Sequence, residues 1–142
     1  MKRILYIILG TILMSCNPFH QDRVMNYEDE LQKLIKEIKE KDIQEIKVGN
    51  NNEISAIMRN LEIDEIYYNK DKNNSTFSGF VEESDSLIIF IKKSRNIANS
   101  EKRILFDTAK KPRNYGNDTI IGASYKLIQI NDRWYFSTID FD

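Results

Sequence analysis

The chain has 142 residues, of which 41% are hydrophobic and 30% are charged, so we expect a folded domain rather than a disordered chain. The formal net charge of −1 is too small to indicate a nucleic-acid partner. The single cysteine excludes an intramolecular disulfide, and the single histidine, His20, argues against Ser-His-Asp or Cys-His catalysis and against an ordinary zinc site.

The N-terminus has the layout of a secretory signal. Two basic residues, Lys2 and Arg3, precede an apolar run over residues 4–14. A permanent membrane-spanning helix needs about 20 apolar residues, so this run is too short to remain as an anchor. We therefore expect residues 1–15 to be removed.

The end of the apolar run carries a recognisable processing motif. Leu13-Met14-Ser15-Cys16 resembles the lipobox of bacterial lipoproteins. The resemblance implies that the Cys16 thiol receives a diacylglyceryl group and that cleavage occurs just before it. Because Cys16 is the only cysteine, a lipid acceptor explains it better than an unpaired thiol in an exported protein does. The alternatives are a plain signal peptide and an uncleaved anchor.

The residues after Cys16 predict a location and a domain boundary. In the sorting rule of enteric lipoproteins an Asp at the next position retains the protein at the inner membrane, and Asn17 stands there instead. We therefore expect a lipid-anchored protein of the bacterial cell envelope, at the outer rather than the inner membrane. Residues 16–25 are interpreted as the lipidated cysteine and a tether, and residues 26–142 as one domain.

Two helices are predicted at the start of this domain. Asn26 is a suitable N-cap, acidic residues follow it, and apolar residues then recur at helical spacing (Leu31, Leu34, Ile35, Ile38). Ile43 and Ile46 extend this apolar stripe towards Val48. A shorter helix, capped by Asn52, has its own apolar stripe (Ile54, Ile57, Met58, Leu61).

Beyond Leu61 the chain changes to short apolar, β-branched and aromatic runs that are typical of strands. These runs cover residues 77–81, 87–91, 104–106, 120–130 and 134–141. Asn131-Asp132 has the character of a two-residue hairpin turn. The fold class is therefore α+β, with one or two N-terminal helices on one face of an antiparallel meander of about four to five strands. This element order resembles small cystatin-like or NTF2-like domains.

Carboxylates are the remaining candidates for chemistry. The densest groups, Glu62/Asp64/Glu65 and Glu82/Glu83/Asp85, lie at element boundaries, where charges are usually solvated. Asp71 to Glu82 has some of the oxygen spacing of a calcium loop, but Thr76 occupies the position that needs glycine. We therefore expect no catalytic residue, no metal and no cofactor.

One stretch of the domain is unusually rich in basic residues. Between residues 92 and 113 it carries eight cationic side chains, Lys92, Lys93, Arg95, Lys102, Arg103, Lys110, Lys111 and Arg113. These side chains are candidates for contact with anionic lipid headgroups or an acidic protein. The structural alternative is that lysines at strand edges simply block aggregation.

Several aromatic residues are candidates for a binding surface, with core packing as the alternative. They are Tyr67, Tyr68, Tyr115, Trp134, Tyr135 and Phe136.

Three functions are compatible with these features. The first is a non-enzymatic binding module tethered to the envelope membrane, with an envelope protein as its partner. The second is an immunity lipoprotein that neutralises an envelope toxin. The third is a hydrolase that uses Asp or Glu, which would require two carboxylates converging in a concave pocket.

Overall fold

The computed structural model describes residues 17–49, 53–71, 80–95 and 99–141, and Cys16 lies outside these ranges. Two α-helices, α1 (Glu28–Glu40) and α2 (Glu53–Asn60), precede most of the sheet. Within these ranges there are seven strands, β1 (Glu45–Lys47), β2 (Glu65–Asn69), β3 (Leu87–Lys93), β4 (Asn99–Asp107), β5 (Asp118–Ile120), β6 (Tyr125–Gln129) and β7 (Trp134–Phe141). The predicted α+β class is therefore confirmed.

The strands form one antiparallel sheet in the order β1-β2-β3-β4-β7-β6-β5. The prediction of a single meander of four to five strands is wrong in two respects. The described residues form seven strands, because β1 and β2 lie in no predicted run and the run over 120–130 divides into β5 and β6. The pairing of β4 with β7 also joins two meanders that run in opposite orders. Ile46 belongs to β1 rather than to a helical stripe, because its backbone pairs with Ile66.

Other predicted boundaries also shift. Helix α1 begins at Glu28, after a 3-10 turn over Val24–Tyr27, rather than at an Asn26 cap. Residues 77–79 of the first predicted strand lie outside the described ranges, and Val81–Glu83 forms a 3-10 turn. The Asn131-Asp132 turn does join two paired strands, β6 and β7, although the loop is longer than two residues.

Alternation along the strands divides the core between the two sides of the sheet. On the first side, helical residues such as Leu34 and Met58 cluster with strand residues such as Phe90 and Ile104. We call this the helix side. On the other side, Tyr67, Leu87, Ile89, Ile91, Leu105, Tyr125, Leu127, Tyr135 and Ile139 form a second cluster.

The segment predicted as a tether is packed onto the domain. Phe19 is 2% exposed and Val24 is fully buried, and both belong to the core on the helix side. Asn17, the first described residue, is also buried, and its side-chain oxygen accepts a hydrogen bond from the Phe19 amide at 3.0 Å. The folded unit therefore includes residues 17–25.

Candidate functional site

A polar pocket lies at the end of the sheet where β3 stops and β4 begins. Its volume is about 710 Å³, and α2, the turn after α2, and the ends of both strands contribute to its walls. Five basic and two acidic side chains line it: Arg59, Lys92, Lys93, Arg95, Lys102, Glu62 and Asp64. In a chain that is slightly acidic overall, this pocket is a local concentration of positive charge.

Strand alternation explains why lysines stand here. On the helix side of the sheet, an apolar row crosses four strands at Phe90, Ile104, Phe136 and Ile128. Side chains two residues further along each strand share the same side, because the pleat has a period of two.

Those positions form what we call the basic row, which consists of Lys92, Lys102, Thr138 and Lys126. Direct cross-strand partners have Cβ atoms about 5 Å apart. Lys92 and Lys102 are such a pair, so two like charges are held side by side at the pocket.

Neighbouring acids neutralise part of this charge. The Lys92 ammonium pairs with the Glu62 carboxylate, and the Lys93 ammonium lies 2.7 Å from Glu65. The Lys93 amide also donates a hydrogen bond to the Asp64 carboxylate at 2.8 Å. Within the described ranges, no ion pair is formed by Arg59, Arg95, Lys102 or Lys126.

The first described residue touches this pocket. The Asn17 side-chain amide donates a hydrogen bond to Glu62 Oε2 at 2.9 Å, and the same oxygen accepts from Lys92. Glu62 therefore connects the residue next to Cys16 with the basic row.

The predicted basic stretch is divided by the fold. Lys92, Lys93, Arg95 and Lys102 come together at the pocket. Lys110, Lys111 and Arg113 follow the opposite end of β4, which finishes at Asp107.

Arg103 is 5% exposed and lies on the side of the sheet away from the helices. Sequence reasoning missed Arg59 and Glu62 as members of the pocket, and Lys126 as a member of the basic row. Lys126 alternates with the apolar Tyr125 and Leu127, which signals a solvated side chain but not its cross-strand neighbours.

Glu82 does not lie in a solvated turn, contrary to prediction. It is fully buried, and its carboxylate accepts hydrogen bonds from the Tyr125 hydroxyl at 2.9 Å and from the Ser137 hydroxyl. The Arg103 guanidinium lies 3.4 Å from the Glu82 carboxylate and also forms an ion pair with Glu101. Burial, with the Glu82 charge beside it, raises the pKa of Tyr125 above its usual range, so this hydroxyl stays a donor.

A second buried acid, Asp107, lies at the end of β4 that is remote from the basic pocket. Asp107 accepts hydrogen bonds from the backbone amides of Ala109 and Arg113 and pairs with the Arg113 guanidinium at 3.0 Å. Arg113 also reaches Asp85 at 2.7 Å. Desolvation raises the pKa of Asp107, but these hydrogen bonds outweigh it and leave the pKa below its usual range.

The candidate aromatic residues do not form one surface. Trp134 and Phe136 are buried on the helix side, whereas Tyr67 and Tyr135 are buried on the other. Tyr115 packs edge-on against Tyr135, with ring centroids 5.4 Å apart. Tyr68 is half-buried against the helix-side cluster.

In the described part of the chain, no group of three His, Cys, Asp or Glu side chains has the arrangement of a metal site. Among the helices within the described ranges, none is both long enough and apolar enough to cross a bilayer.

No protein-family model matches the chain, and no curated protein or solved structure matches it at a significant level. Its function is therefore inferred from its own residues.

Proposed function

We propose that this chain is a bacterial envelope lipoprotein, anchored at the outer membrane through lipid on Cys16, and that its domain is a non-enzymatic binding module. The basic pocket is its binding site. The observation that carries the proposal is the direct opposition of Lys92 and Lys102 in a pocket that holds more basic than acidic side chains.

Like charges directly opposite each other on neighbouring strands destabilise a sheet. Glu62 neutralises Lys92, but Lys102 has no acidic partner among the described residues, and Arg59 adds a further cation. A bound anionic group would accept hydrogen bonds from several of these side chains and relieve their repulsion. Carboxylates of an acidic envelope protein and phosphates of lipid headgroups both have this chemistry.

The two buried acids, Glu82 and Asp107, are placed for a structural role rather than for catalysis. Both Glu82 oxygens accept hydrogen bonds from buried partners, and both Asp107 oxygens accept hydrogen bonds from the loop that follows β4. Neither carboxylate lines the basic pocket. Arrangements of this kind hold a fold together and leave little capacity for proton transfer to a substrate.

Lipidation is tested by growing cells with a labelled fatty acid and comparing the full chain with its Cys16→Ala variant. We expect label in the unaltered protein, none in the variant, and sedimentation of only the unaltered protein with the outer membrane. Equal labelling of the two proteins would overturn the assignment of Cys16.

Anion binding is tested separately, by following the backbone amide resonances of the detergent-solubilised lipidated protein during titration with inorganic phosphate. We expect the largest shifts near Lys92 and Lys102, and loss of these shifts in Lys102→Gln. Lys33→Gln, which removes an exposed lysine of α1, is the matched control and should titrate normally. Equal phosphate-induced shifts in all three proteins would contradict the assignment of the pocket as the binding site.

A further inference from the structure

We infer that the domain docks on the bilayer in which it is anchored, with Arg59 and the basic row against the phosphates of anionic lipid headgroups. We call Arg59, Lys92, Lys102 and Lys126 the basic face. The inference rests on the proposed lipidation of Cys16 and adds an orientation and a ligand class to it.

The position of the anchor leaves the domain little freedom to move away from the bilayer. The predicted lipid acceptor, Cys16, directly precedes Asn17 in the sequence, so a single peptide bond joins the anchor to the described domain. Asn17 is buried and hydrogen-bonded to Glu62 in the wall of the pocket, and Phe19 is part of the core. A lipid on Cys16 therefore brings the pocket to the level of the headgroups.

The charge distribution of the domain favours the same face for contact with the bilayer. The chain carries 22 acidic and 21 basic side chains, and two of the basic ones, Lys2 and Arg3, leave with the predicted signal. An acidic domain is repelled by an anionic surface unless it presents a basic region. Basic residues near such a surface attract it within roughly a Debye length. The basic face provides this region, although Glu62, Asp64 and Asp140 lie close to it.

An exposed apolar residue lies at the same end of the sheet. One cross-strand row passes from Lys93 through Glu101, Ile139 and Tyr125 to Ile120. Ile121 follows this row directly and is 89% exposed. An exposed isoleucine in this position suits the boundary between headgroups and acyl chains.

The experiment uses the lipidated protein with a fluorescent reporter at position 121. Acylated Cys16 has no free thiol, so Ile121→Cys can be labelled selectively with an environment-sensitive maleimide dye. The labelled protein is placed in vesicles of phosphatidylcholine alone and of equimolar phosphatidylcholine and phosphatidylglycerol. The matched control is Asp132→Cys, which carries the dye in the exposed loop between β6 and β7, at the opposite end of the sheet.

We expect blue-shifted, stronger emission from position 121 in the anionic vesicles only, and no change from position 132. Replacing Lys92, Lys102 and Lys126 with Gln should lower the docked-to-undocked ratio by about fivefold for each charge removed. Equal emission from position 121 in the two vesicles would overturn the inference, and so would an unaltered response in the triple variant.

Two further measurements separate the sources of a negative result. The mass of the purified protein reports acylation of Cys16 independently of docking, so failure of the lipidation proposal is seen before any vesicle is used. Binding of poly-L-glutamate to the detergent-solubilised protein, without docking on anionic vesicles, would assign the basic pocket to an acidic protein and overturn the lipid assignment.

Discussion

Lys92 and Lys102 face each other across β3 and β4, two residues beyond the apolar pair Phe90 and Ile104. The helix side of the sheet thus changes from buried apolar core to a basic surface within one pleat repeat. Two ammonium groups held at this separation cost stability, unless an anion lies between them.

Replacing Lys102 with Gln should therefore stabilise the protein when no anion is present. We expect a gain of about 0.5 kcal/mol in the free energy of unfolding, and a smaller gain at high salt, where the repulsion is screened. Urea denaturation at low and high ionic strength measures this difference. Lys33→Gln is the control, and a loss of stability in Lys102→Gln at low salt would contradict the prediction.

Phe19→Ala should destabilise the domain by about 3 kcal/mol, because it removes a ring from the core on the helix side. His20→Ala, at the exposed next position, should leave the free energy of unfolding almost unchanged. Thermal or urea denaturation of the two variants separates a packed N-terminal segment from a solvated tether. Equal stability of both variants would support the tether.

Glu82→Gln should destabilise the protein by about 3 kcal/mol, because it leaves part of the buried Arg103 charge uncompensated. Glu101 still pairs with Arg103, which keeps the expected loss at the low end for a broken buried ion pair. The exposed neighbour Glu83 gives the matched substitution Glu83→Gln, for which we expect a much smaller change. Similar urea midpoints for the two variants would show that the buried pair is not needed for stability.

Asp107 should contribute to acid denaturation. Its pKa in the folded protein is depressed, so its ion pair and hydrogen bonds stabilise the fold at pH values above its unfolded pKa of about 4. This contribution is lost as the pH falls through the lower, folded pKa.

Asp107→Asn should therefore be clearly less stable than the unaltered protein at neutral pH, and the difference should shrink below about pH 4. Urea unfolding across this range measures the difference. A constant difference between the two proteins at all pH values would be inconsistent with the pKa shift.

The fold class could be predicted from the sequence because helices and strands leave residue patterns within short segments of the chain. Helical spacing located α1 and α2, and apolar runs located β3 and β7 to within two residues. Strand β4 begins at Asn99, well before the predicted run over 104–106, and the predicted run over 120–130 contains the end of β5, a 3-10 turn and β6. The three-residue strands β1 and β5 were missed because so short a segment has no detectable alternation, and only its backbone pairing defines it. The five-residue strand β2 also lay outside the predicted runs.

The candidate site was harder to predict because its parts come from separate elements. Sequence reasoning treated residues 92–113 as one basic region, but β4 carries the chain from one end of the sheet to the other and separates Lys102 from Arg113. Arg103 is adjacent to Lys102 but points to the opposite side, where Glu82 and Glu101 neutralise it.

By itself the sequence determined the α+β class and the slight acidity of the chain, and it predicts the signal that ends at Cys16, because each depends on composition or on nearby residues. Only the tertiary structure decided that Asn17 and Phe19 are packed, that Glu82 is buried, and that Lys92, Lys102 and Lys126 share one row. Strand order and register bring distant residues into contact, and no local pattern specifies which strands become neighbours.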